Sequence, residues 1–125
     1  FFHGYTYSGH PLAAAAGCAT LDVYRDEGLF ERARALEGKF EDALHSLKGE
    51  PHVIDVRNFG LIGAVELEPV GGQPTARAMG IFRKCFDEGT IIRTTGDTLA
   101  FSPPLIIEEP QVDQLVESVR KALRA

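Results

Sequence analysis

Apolar residues in this chain switch between two spacings, and the order of the switches limits what it can fold into. From Leu29 to Leu47, Phe30, Ala33, Leu36, Phe40, Leu44 and Leu47 recur at three- and four-residue steps with charges between them. That spacing predicts an amphipathic helix, ended by Gly49 and Pro51. At Val53 the step falls to two. Val53–Arg57 and Leu61–Leu67 read as strands, and Asn58-Phe59-Gly60 supplies the turn of an antiparallel pair. Gly63 in the second strand predicts a bulge or a close backbone approach. Gly38 in the preceding helix costs about 1 kcal/mol relative to alanine, which predicts a close contact there too.

The helical step returns over Thr75–Glu88, where Ala78, Ile81, Phe82, Cys85 and Phe86 make one stripe and Gly89 the cap. Two short strands are predicted next, Thr90–Arg93 and Thr98–Phe101, around a turn at Thr94-Thr95-Gly96-Asp97. Ser102-Pro103-Pro104 breaks the second, and Glu109-Pro110 opens a last helix with Val112, Leu115, Val116, Val119 and Leu123 on one face. Short turns between strands and helices between strand pairs describe an α+β layer: a short, mainly antiparallel sheet with helices on one face.

Ahead of that layer stands a segment of different composition. Phe2-His3-Gly4-Tyr5-Thr6-Tyr7-Ser8-Gly9-His10 gathers aromatics, hydroxyls and imidazoles, then meets a helix from Pro11 to Asp26 or Glu27 with Gly28 as its stop. The first half of this helix is nearly all alanine and glycine, as suits a connector against which another element packs closely. Tyr5, Thr6, Tyr7 and Ser8 precede its N-terminus, where free N–H groups favour an anion; an N-cap with buried rings is the competing reading.

Composition narrows the function. A net charge of −5 without a basic stripe disfavours nucleic acid and anionic membranes as partners. No apolar run approaches the ~20 residues of a membrane span, and Cys18 and Cys85 both read as small hydrophobes inside helical patterns. The expectation is a soluble, cytoplasmic-type protein. His3 and His10 lie seven apart without further ligands nearby, so no metal site is expected, and Ser8, His10 and Cys18 lack the surroundings of a nucleophilic triad. Arg93 at a strand end offers a fork that holds a carboxylate by two parallel hydrogen bonds; a surface ion pair with Asp97 is the alternative.

The segment from His3 to Pro11, Asp26-Glu27-Gly28-Leu29, Gly60-Leu61-Ile62-Gly63-Ala64-Val65-Glu66-Leu67, Ile92-Arg93-Thr94-Thr95-Gly96-Asp97 and Ser102-Pro103-Pro104-Leu105-Ile106 together resemble the C-terminal portion of class III pyridoxal-phosphate aminotransferases of fold type I. Within that class the likeness is greatest to the ω-amino acid:pyruvate, or β-alanine–pyruvate, type. The resemblance implies that residues 1–28 end a cofactor domain and run into a small C-terminal α+β domain over residues 29–125. It implies that Thr6 hydrogen-bonds the cofactor phosphate of a neighbouring subunit, that Tyr5 lines the partner's substrate pocket, and that Arg93 binds the substrate carboxylate. The implied assembly is a homodimer or tetramer, using an amino acid or amine donor and a keto-acid acceptor.

One departure is decisive. The family's cofactor-bearing lysine lies upstream of the Thr6 motif, and Lys39, Lys48, Lys84 and Lys121 sit on polar helix faces or near helix ends. The expectation is a C-terminal fragment with no catalytic residue of its own, inactive alone and not binding pyridoxal phosphate by itself. Two other readings share the fold: a stand-alone interaction domain without the chemistry, and an aminomutase, racemase or decarboxylase of the same class.

Overall fold

The computed structural model describes residues 2–125. In chain order these form α1 (Pro11–Asp26), α2 (Leu29–His45), β1 (Val53–Phe59), β2 (Ile62–Leu67), α3 (Ala76–Asp87), β3 (Arg93–Thr95), β4 (Thr98–Phe101) and α4 (Glu109–Arg124). The strands make one sheet in the order β1-β2-β4-β3, antiparallel at every pairing. Among the described residues no helix is long and apolar enough to cross a membrane.

Period-two alternation sorts the sheet into two faces. Val56, Val65, Leu67, Leu99 and Phe101 point inward, where they meet Leu36, Phe40, Leu44 and Leu47 from α2 and its end, Ala78, Ile81 and Cys85 from α3, and the Val112–Leu123 stripe of α4. The three helices thus share one face, as the spacing predicts. Burial pushes the Cys85 thiol up to about 11, with Glu88 adding to the effect, so this sulfur is an inert core atom. Cys18 departs from expectation: it is a free thiol exposed on α1.

Gly63 explains how closely helix and sheet approach. A Cβ at this inward position would lie 2.4 Å from Leu44 Cδ2 and 3.1 Å from Phe40 Cε1, so α2 rests directly on the β2 backbone. The bulge is elsewhere, at Ile54, where the β1–β2 register slips between Val53 and Asp55 and the isoleucine is turned outward. Gly38 has no atom within 4 Å of where its Cβ would stand, so the close contact predicted there does not exist.

The β1–β2 turn is also tighter than expected. Phe59 pairs with Ile62, leaving Gly60 and Leu61 as the turn, with Gly60 in the left-handed region at φ +55°. The Gly60 N–H donates to Glu37 Oε1 at 3.2 Å and pins the hairpin tip to α2. Asn58 belongs to the strand, paired with Gly63, and its Oδ1 lies 2.9 Å from His45 Nε2.

A buried carboxylate closes the far side of the layer. Glu50, after α2, accepts hydrogen bonds from Arg124 Nε and Nη2, both at 2.7 Å, and from Arg120 Nη1. Chiefly the Arg124 hydrogen bond, and also Arg120, hold its pKa below the ordinary carboxylate value against the opposing effect of desolvation. A folded pKa below the unfolded one means stability that is fully present above the unfolded value and lost as pH falls through the folded one. Melting temperature measured against pH should therefore fall on the acid side of neutrality, and Glu50→Gln should lower it at pH 7 while flattening that acid limb.

α1 stands out from this body, and none of its residues is buried. Its contact runs through half-buried Tyr24, whose ring meets Phe30 edge-on at 5.2 Å, and through Gly28, whose φ of +59° turns the chain into α2.

Candidate functional site

Arg93 opens β3 rather than closing a strand begun at Thr90. The ladder to β4 ends at the Arg93–Ala100 pair, one residue short of the end of β4 at Phe101. Upstream, Thr90 is drawn inward instead: its N–H donates to the Cys85 carbonyl at 2.8 Å and its hydroxyl pairs with Ser118 at 2.9 Å.

The register places Arg93 on the outer face of the sheet. Arg93 lies opposite Ala100, Ala100 opposite Ala64, and Ala64 opposite Arg57, so one row crosses all four strands with an arginine at each end and only methyl groups between. The neighbouring row is Thr95, Thr98, Glu66 and Asp55. Beside Arg93 runs an open groove of about 360 Å³, walled by Ile91, Ala100, Ser102, Pro104 and Leu115.

The two arginines differ in their company. Arg57 Nη1 donates to Asp55 Oδ2 at 2.6 Å and Glu66 Oε2 at 2.9 Å, and these bonds, Asp55 first, raise its pKa further. The Arg93 guanidinium is exposed and has no hydrogen-bond or ion-pair partner among the described residues. Asp97, the expected alternative partner, is committed elsewhere. Its Oδ1 accepts from the Thr75 N–H at 2.9 Å, anchoring the start of α3 where Thr75 sits at φ +70°, and its carbonyl accepts from Leu67 N–H at 2.9 Å. Thr94, facing the other way, donates its hydroxyl to Met79 Sδ at 3.4 Å. β3 is thereby held from its inner side while Arg93 stays free on the outer.

The second locus is the segment before α1. Ser8 Oγ accepts from the Tyr5 N–H at 2.9 Å and Ser8 N–H returns to the Tyr5 carbonyl at 3.0 Å, closing a turn with Thr6 at its tip. His10, not a hydroxyl, caps α1: its Nδ1 accepts from Ala13 N–H at 3.4 Å. Tyr5 and Tyr7 are 72% and 83% exposed as residues, against the buried-ring reading of this cap. His3 meets Tyr5 edge-on at 4.9 Å. Neither the Thr6 hydroxyl nor its N–H has a partner among the described residues. No hydrogen bond, ion pair or ring contact joins this locus to Arg93 among the described residues.

No hydrogen bond or ion pair joins a lysine to Thr6 or Arg93 among the described residues. Lys39 pairs with Asp113, Lys84 donates to the Ala122 carbonyl at 3.3 Å, and Lys48 and Lys121 are exposed. Chemically, the chain presents a free guanidinium for a carboxylate and a free hydroxyl with an N–H for an anion. Sequence reading singles out both residues but misses the Asp97 anchor and the Arg57 cluster; the signal for the second is Asp55 and Arg57 two apart on one face of β1, with Glu66 opposite Asp55 on the paired strand.

Residues 2–123 match the aminotransferase class-III family. The chain is 60% identical over 122 residues to an omega-aminotransferase of Caulobacter vibrioides, covering 98% of this chain and 28% of that protein. It is 42% identical over 123 residues to a beta-alanine–pyruvate aminotransferase of Pseudomonas aeruginosa, again covering 98% and 28%. Among solved structures, a PMP-bound aminotransferase from Vibrio fluvialis superposes with a TM-score of 0.87 at 33% identity, over 99% of this chain and 29% of that one. The chain thus spans a little over a quarter of the length of these curated relatives. It belongs to the class III aminotransferase family, and its α+β fold is the one found in those transaminases.

Proposed function

We propose that this chain is the C-terminal portion of a pyridoxal-phosphate transaminase that moves an amino group from an ω-amino acid or amine, of the β-alanine type, to pyruvate. The observation that carries the reading is Arg93: a guanidinium without a partner among the described residues, on an open sheet face, beside an apolar groove. An arginine left unpaired in this way is set to receive a ligand carboxylate through its planar fork. The names of relatives agree, since they include a beta-alanine–pyruvate and a putrescine–pyruvate aminotransferase.

Pyridoxal phosphate, when bound, supplies the electron sink that lets nitrogen leave one carbon and join another. The residues here fit one end of that cofactor. Thr6, with its unpartnered hydroxyl and N–H at the tip of a turn before a helix, suits the phosphate of a neighbouring subunit. Exposed Tyr5 beside it would line that subunit's substrate pocket. Lys39 and Lys84 are committed to Asp113 and the Ala122 carbonyl, and on this reading the amine that would hold the cofactor's other end belongs to the full-length enzyme rather than to these residues. The chain alone is therefore expected to be inactive, and the working assembly is at least a homodimer.

A mixed dimer tests this directly. One subunit of the full-length enzyme would carry Thr6→Val and the other would lack the cofactor lysine. If Thr6 acts across the interface, one of the two sites keeps both groups and binds pyridoxal phosphate as tightly as wild type. If Thr6 acts within its own subunit, no site is whole, and the remaining affinity should be about tenfold weaker or worse, the cost of one charge-assisted hydrogen bond.

A further inference from the structure

The outer sheet face carries two carboxylates, and both are taken by Arg57. We propose that Arg57 is a positioning residue: by binding Asp55 and Glu66 it keeps Arg93, at the other end of the same row, free for the substrate carboxylate. The inference rests on the reading of Arg93 given above and adds the reason that Arg93 remains available.

The geometry supports it from three sides. Glu66 stands on β2, two strands from β3, roughly 10 Å across the sheet. Between Glu66 and Arg93 lie Ala64, Ala100 and Thr98, which are small and carry no charge that would pair with either. Asp97 and Glu68 are held in place by contacts of their own, Asp97 by the Thr75 N–H and Glu68 by His52 Nδ1 at 3.2 Å. An unneutralised Glu66 would thus be the internal competitor for Arg93. Arg57 prevents this by donating to both acids from a single nitrogen, leaving the pair of acids and one arginine with one residual negative charge, held at the β1 edge.

The test uses the full-length holoenzyme and two donors of matched shape, β-alanine and propylamine, which differ by carboxylate against methyl. Arg57→Met should raise KM for β-alanine by roughly three- to tenfold, the scale of a partly screened charge pair at this separation. KM for propylamine and kcat for both donors should stay within about twofold. Adding Glu66→Gln to Arg57→Met should restore the β-alanine KM. Equal losses for both donors, or no rescue by Glu66→Gln, would overturn the proposal and leave Arg57 a purely structural ion-pair partner. Should Arg57→Met not fold, Arg57→Gln with and without Glu66→Gln gives the same comparison. Arg93→Ala in the same assay separates the two claims: if it leaves the β-alanine KM unchanged, the reading of Arg93 fails; if it raises it while Glu66→Gln gives no rescue, only the role of Arg57 fails.

Discussion

Gly63→Val is expected to lower folding stability by about 3 kcal/mol, at the upper end for forcing methyl groups into a packed core. The first added carbon would stand 2.4 Å from Leu44 Cδ2 and 3.1 Å from the Phe40 ring. Neither neighbour can swing into solvent, because both are fully buried beneath the rest of α2 and α4. The strain must then lift α2 from β2 and open the centre of the layer. A double-mutant cycle gives the claim its test. Leu44→Ala alone should cost about 2–5 kcal/mol for the cavity it leaves, yet the space it frees is the space that the introduced valine needs. Stability measured by chemical denaturation should show the double mutant better than the sum of the singles by about 1 kcal/mol or more. Simple additivity would mean that the helix does not rest on the strand at Gly63.

Arg93→Ala should have the larger functional effect. A bidentate guanidinium–carboxylate contact uses two charge-assisted hydrogen bonds, each worth about 1.5–3 kcal/mol. Its loss should raise KM for carboxylate-bearing donors roughly 100-fold, the equivalent of about 2.7 kcal/mol. Donors without a carboxylate never make the contact, so their KM should hold or improve slightly as the groove becomes more apolar. Because the contact exists before and during reaction, the loss should fall on KM more than on kcat. Arg93→Lys should recover only part of it, since an ammonium matches charge without the planar fork. Pyruvate also carries a carboxylate, so donor selectivity must be read in the donor half-reaction, without acceptor present.

The layer is legible in the sequence because each element is long enough for its period to show. Phe40, Leu44 and Leu47 announce α2, and Val56, Val65, Leu99 and Phe101 announce the inner sheet face. Positions decided by distant partners are not legible. Thr90 reads as a strand residue, but its hydroxyl pairs with Ser118 on α4, and β3 begins only at Arg93. Asp97 reads as a partner for Arg93 because it is near in sequence; the Thr75 N–H claims it from a helix that precedes the turn. Gly38 and Gly63 carry the same letter, and only the path of α2 over β2 makes one a close approach and leaves the other open. Glu50 sits before a proline in what reads as a loop, and nothing local marks it as the buried partner of Arg120 and Arg124, distant in sequence on α4.

The same contrast holds for the site. Motif resemblance picks out Thr6, Tyr5 and Arg93, because a turn before a helix and an arginine beside Thr94-Thr95-Gly96-Asp97 are recognisable in one dimension. Residue types alone do not say that Arg93 is unpartnered or that Arg57 holds the acids of its face. Those facts depend on the two-residue Gly60-Leu61 turn, which sets Glu66 opposite Asp55, and on β4 lying between β2 and β3, which spacing does not give.

The most direct measurement of whether Arg93 receives the substrate carboxylate is the selectivity of the full-length enzyme, wild type and Arg93→Ala, for β-alanine over propylamine in the donor half-reaction. The ratio of the two kcat/KM values should fall about 100-fold in the variant, through β-alanine alone. An unchanged ratio, with both donors slowed equally, would contradict this and show that Arg93 does not receive the substrate carboxylate.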